Sequence, residues 1–143
     1  MRSGFVAGDE DIITKFALYR TYHGCAMNPA VQAASTAAWN DDAHVVENRR
    51  LYAEKFNVVT PLLQQKFTVE MPDAAFYLWA KSTIPDTELA VKLYRDLSIT
   101  VLPGSYLARE AHGTNPGESF IRMALVASYD ECLEAANRIK NYL

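Results

Sequence analysis

Between Glu118 and Asp130 the chain carries one charged residue, Arg122, inside the run Phe120-Ile121-Arg122-Met123-Ala124-Leu125-Val126-Ala127. A short apolar run of this kind reads as a strand. Ile121, Met123, Leu125 and Ala127 then point one way, and Phe120, Arg122, Ala124 and Val126 the other, so the run is apolar on both faces. A guanidinium in that setting is costly unless an anion meets it. The planar fork of arginine matches a carboxylate through two parallel hydrogen bonds. Two readings stand at this point. Arg122 is a carboxylate-binding residue on a rigid strand, or it lies on an edge strand and reaches water or a neighbouring Asp or Glu.

A chain of 143 residues suits one compact domain. Its net charge is −3, and its Lys and Arg residues form no basic block, so nothing in its charge points to nucleic acid or to an anionic membrane. There is no signal peptide and no long apolar run, which predicts no membrane span. Cys25 and Cys132 match no metal or redox spacing and read as reduced thiols of a cytoplasmic protein, with Cys132 packed in a helix. The first eight residues enter directly into a strand-like run ended by Gly8, with no turn or cap before it, as though cut from a longer chain.

Asp9 is placed to cap a helix with Ile12, Ile13, Phe16 and Ala17 on one face, fading near Gly24. Asn28-Pro29 starts a second helix that runs through an Ala-rich stretch to Trp39. Asn40-Asp41-Asp42 breaks the chain. A long helix follows with Val45, Tyr52, Phe56, Val59 and Leu63 at helical spacing and Pro61 as a kink point. Glu47, Arg49, Arg50, Glu54 and Lys55 cover its solvated face.

From Phe67 the texture changes. Strands are predicted over residues 67–71, 75–80 and 98–102, with the Arg122 strand fourth. The aromatic residues of Ala75-Phe76-Tyr77-Leu78-Trp79-Ala80 read as core. Asp86 is placed to cap a helix with Leu89, Leu93 and Leu97, and Pro103-Gly104 stops the third strand. Ser128-Tyr129-Asp130-Glu131 is a capping box opening a last helix with Leu133, Ala136, Ile139 and Leu143 on its apolar face. The predicted class is α/β: an α+β-like two-layer sandwich, with a mostly antiparallel sheet, helices on one face, and two or three helices in front.

The polar loop 105–117 lacks the spacing of a phosphate loop. His23, His44 and His112 are isolated and read as structural or surface residues, and no metal-ligand cluster appears. Lys15, Lys55, Lys66, Lys92 and Lys140 fall on polar helix faces or at element ends, and Lys81 ends a strand; none reads as a desolvated amine tuned for Schiff-base chemistry.

Five segments occur in an order that resembles one known family: Arg2-Ser3-Gly4-Phe5, Gln32-Ala33-Ala34, Ala75-Phe76-Tyr77-Leu78-Trp79, Val101-Leu102-Pro103-Gly104-Ser105 and Phe120-Ile121-Arg122-Met123-Ala124-Leu125. Their order and spacing are similar to the C-terminal portion of fold-type-I pyridoxal-phosphate aminotransferases of class I/II. The segments Arg20-Thr21-Tyr22-His23-Gly24-Cys25-Ala26-Met27 and Ala38-Trp39-Asn40-Asp41 look most like the succinyldiaminopimelate branch.

The resemblance implies that residues 1–42 are the end of the large cofactor domain with its connecting helices, and residues 43–143 the small C-terminal domain. It implies that Arg122 pairs with the α-carboxylate of the substrate and that Arg2 neutralises the phosphate of pyridoxal phosphate. The lysine that binds the cofactor sits, in the family, ahead of the Arg2 position and therefore before Met1. The resemblance also implies amino-acid and keto-acid substrates, an N-terminal large domain as partner and a homodimer at full length. A chain without the Schiff-base lysine is expected to be inactive alone and not to bind the cofactor by itself. Pro72-Asp73-Ala74-Ala75 departs from the family at a turn where many relatives have glycine. A lyase or synthase of the same fold stays open. So do a non-catalytic carboxylate-binding or protein-interaction α/β module, and a pure fragment with an exposed apolar face.

Overall fold

The structure is a computed structural model that describes residues 2–24 and 26–143, so the reading of Cys25 lies outside the described residues. By its internal contacts the chain divides into two compact units, Met1–Val46 and Glu47–Leu143.

In the first unit the helix starts follow local chemistry. The Asp9 carboxylate accepts from the backbone N–H groups of Asp11 (3.0 Å) and Ile12 (3.2 Å) and opens α1, Glu10–Tyr22. Asn28 accepts from the N–H of Ala30 at 2.8 Å ahead of α2, Pro29–Trp39. Neither helix has a buried residue; Ile12, Leu18 and Trp39 are exposed. The strand-like reading of the first eight residues is overturned. Residues 2–9 form no regular element, because no neighbouring segment offers them a hydrogen-bonding ladder.

The second unit is built on α3 (Ala43–Leu63), whose first residues belong to the first unit. It continues with β1 (Tyr77–Lys81), α4 (Asp86–Leu97), β2 (Leu102–Pro103), the short α5 (Gly104–Leu107), β3 (Phe120–Ala124) and α6 (Tyr129–Tyr142). The sheet order is β1-β3-β2 and both pairings are antiparallel. Phe56, Val59 and Leu63 of α3, Leu89 and Leu93 of α4, and Cys132, Ala136 and Ile139 of α6 join Leu78, Ala80, Ile121 and Met123 of the strands in one buried cluster. All three long helices thus cover the same sheet face, giving the two-layer sandwich that the pattern predicts. The capping box of α6 forms as expected: the N–H of Glu131 donates to the Ser128 hydroxyl at 3.3 Å, and the Glu131 carboxylate accepts from the Ser128 N–H at 2.9 Å. Helix α3 runs through Pro61 to Leu63, the proline leaving the Asn57 carbonyl without its intrahelical N–H.

Several expectations are corrected. Residues 67–71 keep the alternation of a strand, with Phe67 and Val69 buried and Thr68 and Glu70 exposed, but pair only through the Thr68–Lys81 bridge. The Val69 carbonyl is instead taken by the Gln64 side chain at 3.0 Å. The strand expected over 98–102 shrinks to Leu102–Pro103. Ser98 takes the left-handed conformation (φ 55°), and the N–H of Ile99 donates to the Leu93 carbonyl at 3.0 Å, so these residues terminate α4. Lys55 is not merely a solvated charge. Its ammonium donates to the carbonyls of Leu125 (3.0 Å) and Ala127 (2.5 Å), where β3 has run out of ladder partners.

Asp86 departs from expectation most usefully. It does not cap α4; Pro85 holds that position, without a side-chain bond. The Asp86 carboxylate, 3% exposed, reaches across to accept the N–H groups of Ser105 (2.9 Å) and Ser119 (3.3 Å). Burial by itself pushes this carboxyl up, but the bonds from Ser105 and Ser119 outweigh it and hold Asp86 below its ordinary value. A depressed folded value makes the contribution complete above the unfolded carboxylate range, near pH 4, and lost as pH falls below that through the folded value. Asp86→Ala is expected to destabilise the protein by about 2 kcal/mol at pH 7, since two partly buried N–H groups lose their acceptor. In denaturant titrations the gap between wild type and variant should narrow below about pH 4; a gap independent of pH would contradict this account.

Candidate functional site

Arg122 lies on the central strand, opposite Trp79 of β1 on one side and Leu102 of β2 on the other. Its neighbours Ile121 and Met123 point into the core, so the pleat sends Arg122 to the outer face. That face is not covered by helices: Phe120 and Arg122 are half-buried and Ala124 is exposed. The run is therefore apolar on both faces in sequence but has a single core face in the fold. The same correction applies to β1. Leu78 and Ala80 are core, whereas Tyr77 and Trp79 are half-buried on the outer face, and Phe76, before the strand, is 46% exposed. The aromatic residues read as core thus surround Arg122 instead. The signal was present in Lys81, which ends the strand as expected: a terminal lysine marks the wet face, and Trp79 and Tyr77 share its parity.

The guanidinium carbon of Arg122 lies 5.4 Å from the centre of the Tyr77 ring. Trp79 and Phe120 stack beside it, centroids 5.5 Å apart and planes at 11°. Arg122 forms no ion pair with any described residue, and its Nε is buried without a hydrogen-bond partner. An unmet buried donor costs about 1–3 kcal/mol, more on a charged group, and an arriving anion would remove that cost. A carboxylate is an anion whose shape matches the fork.

The loop ahead of β3 is held by a close crossing of two glycines. A Cβ on Gly104 would strike the carbonyl oxygen of Gly117, the Phe120 carbonyl oxygen at 2.7 Å and the Trp79 ring at 2.9 Å. One on Gly117 would strike the Gly104 carbonyl and meet Ala108 at 2.9 Å. Only glycine permits this approach, and its product is the placement of Trp79 and Phe120 beside Arg122. Asn115 ties the crossing from outside, donating to the Ser105 carbonyl (3.1 Å) and accepting from the Gly117 N–H (2.9 Å).

Arg2 lies in the first unit, exposed and with no hydrogen bond or ion pair to any described residue. The next residues are anchored on α2: the Ser3 hydroxyl is 2.7 Å from that of Ser35, and Phe5 meets Trp39 edge-on at 5.6 Å. His23, His44 and His112 are exposed, as expected, and no group of three metal-ligating side chains occurs among the described residues. Among the described residues no helix is long and apolar enough to cross a membrane.

Pyridoxal phosphate needs an anchoring amine, and the lysines here do not fit that need. None is buried. Lys55 is committed to two backbone carbonyls, and Lys81 and Lys92 stand over the rings of Phe120 and Tyr142. The described residues therefore do not make a complete site for this cofactor.

No family model matches the chain. A probable aminotransferase of Mycobacterium tuberculosis is 34% identical over 139 residues, 96% of this chain and 32% of that protein. An LL-diaminopimelate aminotransferase of Syntrophobacter fumaroxidans is 30% identical over 143 residues, 97% of this chain and 35% of that protein. Among solved structures, an aminotransferase from Neisseria meningitidis is 52% identical with a TM-score of 0.81, covering 98% of this chain and 36% of that one. A probable N-succinyldiaminopimelate aminotransferase from Thermus thermophilus is 31% identical with a TM-score of 0.53, covering 66% of this chain and 24% of that one. The chain spans about a third of the length of the curated relatives it matches. It is similar to the C-terminal portion of aminotransferases and has the fold of their C-terminal domain.

Gly104→Ala is expected to cost about 2 kcal/mol or more, because neither backbone at the crossing can give way. Gly8→Ala, whose Cβ would meet nothing within 4 Å, is the control and should change stability by less than about 0.5 kcal/mol. Equal denaturation midpoints for the two variants would contradict the crossing's role.

Proposed function

We propose that this chain is the C-terminal part of a pyridoxal-phosphate-dependent aminotransferase in which Arg122 pairs with the α-carboxylate of the amino-acid and keto-acid substrates. The observation that carries the reading is the Arg122 Nε, buried and unpartnered on the central strand of a chain similar to aminotransferases along nearly its whole length. In this reading residues 1–42 belong to the end of the large cofactor domain and its connecting helices, residues 43–143 form the small domain, and Arg2 neutralises the cofactor phosphate. The whole enzyme is a cytoplasmic homodimer that moves an amino group between glutamate and N-succinyl-2-amino-6-oxopimelate, on the route to diaminopimelate and lysine. The likeness to the probable N-succinyldiaminopimelate aminotransferase of Thermus thermophilus supports that substrate, and the likeness to the LL-diaminopimelate aminotransferase of Syntrophobacter fumaroxidans supports the diaminopimelate route alone. When bound, pyridoxal phosphate supplies the electron sink for the reaction; this chain supplies the grip on the carboxylate and part of the wall that excludes water. The chain alone is inactive, and the commitments of Lys55, Lys81 and Lys92 support this.

A second reading, a carboxylate-binding module without catalysis, is favoured by the buried core that residues 47–143 make for themselves.

The two readings part on a chimera that joins this chain to the remainder of the Neisseria meningitidis aminotransferase. The chimera is expected to transaminate glutamate, and Arg122→Ala to lower kcat/KM for glutamate about a hundredfold, chiefly through KM. An inert chimera whose grafted chain still binds carboxylates would favour the module, and an Arg122→Ala chimera as active as its parent would end the assignment. Separately, the chain mixed with pyridoxal phosphate and reduced with borohydride is expected to yield no specific lysine adduct and no turnover. A stoichiometric adduct on one lysine would contradict the claim of inactivity.

A further inference from the structure

On the outer face of the sheet the side chain of Arg122 has a choice of directions. Trp79 stands directly opposite it on β1, with Tyr77 and Lys81 at the two diagonal positions, and Leu102 stands opposite it on β2. One face of the Trp79 ring is taken by Phe120, the centroids 5.5 Å apart. Lys81 carries the same charge as Arg122, and Leu102 offers no ring. The guanidinium goes to Tyr77, its carbon 5.4 Å from the centre of that ring. The Tyr77 ring is itself braced, because Phe76 meets it edge-on with centroids 5.2 Å apart and planes at 86°. Its partner across the strands is Ala124, a side chain too small to cover the ring.

A carboxylate or a carbonyl would fix a guanidinium by occupying its N–H groups. An aromatic ring attracts the cation through its π face and need occupy none of them. Among the described residues Arg122 is held in the second way only: it has no ion pair, and its buried Nε has no acceptor. We propose that Tyr77 is a positioning residue for Arg122, its ring fixing the direction of the guanidinium while leaving the fork free for a carboxylate. The inference rests on the carboxylate reading of Arg122 and deepens it, giving a part in recognition to a side chain that acts through Arg122. An arginine loses much rotamer freedom when it grips a ligand. A ring that has already restricted the side chain lowers that cost, so the effect appears as affinity. The ring does this work, and the Tyr77 hydroxyl has no share in it.

The test is an NMR titration of the isotope-labelled 143-residue chain with propionate at low ionic strength. It follows the Nε–H resonance of Arg122, assigned by its loss in Arg122→Met. In the wild type that resonance should carry the ring-current shift of Tyr77 and move as propionate binds. Tyr77→Phe should keep the shift and bind propionate within about twofold of the wild type. Tyr77→Leu should lose the shift and bind about fivefold more weakly. Ala124→Leu leaves Tyr77 in place and sets a branched side chain across from its ring, and it should have the same two effects, so the outcome does not hang on the folding of one variant. Arg122→Met should abolish binding. Equal affinity in the wild type and Tyr77→Leu overturns the positioning role while the Arg122 reading stands. So does a Tyr77→Phe variant as weak as Tyr77→Leu, since the hydroxyl and not the ring would then be responsible. Binding that survives Arg122→Met, or no binding by the wild type, overturns both.

Discussion

The placement of Arg122 depends on one buried carboxylate. Asp86 draws the N–H groups of Ser105 and Ser119 to itself from two ends of a long polar loop. Ser105 follows Gly104 and Ser119 follows Glu118 and Gly117, so the same carboxylate closes the crossing at which only glycines fit. Ser119 is held with φ at 65°, a conformation that a non-glycine residue adopts at a cost. The next residue is Phe120, and two further on is Arg122. Desolvating a carboxylate is expensive, and the bonds it accepts must repay that. Here they also set where β3 begins and which residues face outward.

That parity decides what the face can do. A sheet with helices on one side keeps its other side in water, and such faces are ordinarily polar. This one carries Tyr77, Trp79, Phe120 and Arg122 instead, half-buried against each other. The rings shield the Nε of Arg122 from solvent without offering it an acceptor. A guanidinium so placed is more strongly attracted to an anion than one in free solvent, because less of its hydration remains to be displaced. Aromatic residues that read as core by composition therefore surround the charge, a difference that turns on one residue of strand parity.

The readings that held are those whose chemistry is local. Asp9, Asn28 and the Ser128–Glu131 box start helices through bonds that span two or three residues, so a short stretch of sequence contains the whole argument. The Leu89 and Leu93 pair on α4 and the Ala136 and Ile139 pair on α6 lie at helical spacing and are buried as expected. The readings that failed need a distant partner. Residues 67–71 and 98–102 have the composition of strands, but a ladder forms only where a second segment lies alongside, and the Gln64 side chain and the end of α4 took those groups first. Lys55 looked like a surface charge on its own helix; its acceptors, Leu125 and Ala127, lie seventy residues or more away.

From the sequence alone came the helix starts, the two-layer class and the singling out of Arg122, because periodicity, capping and one charge in an apolar run are all legible over a few residues. The likeness to aminotransferases came from the order of short segments and was met by relatives of that kind. What tertiary structure alone decided is which sheet face is covered, that Asp86 clamps a loop and does not cap a helix, and that Tyr77, Trp79 and Phe120 stand around Arg122. Each of these depends on a pairing between segments dozens of residues apart, and no local propensity encodes such a pairing.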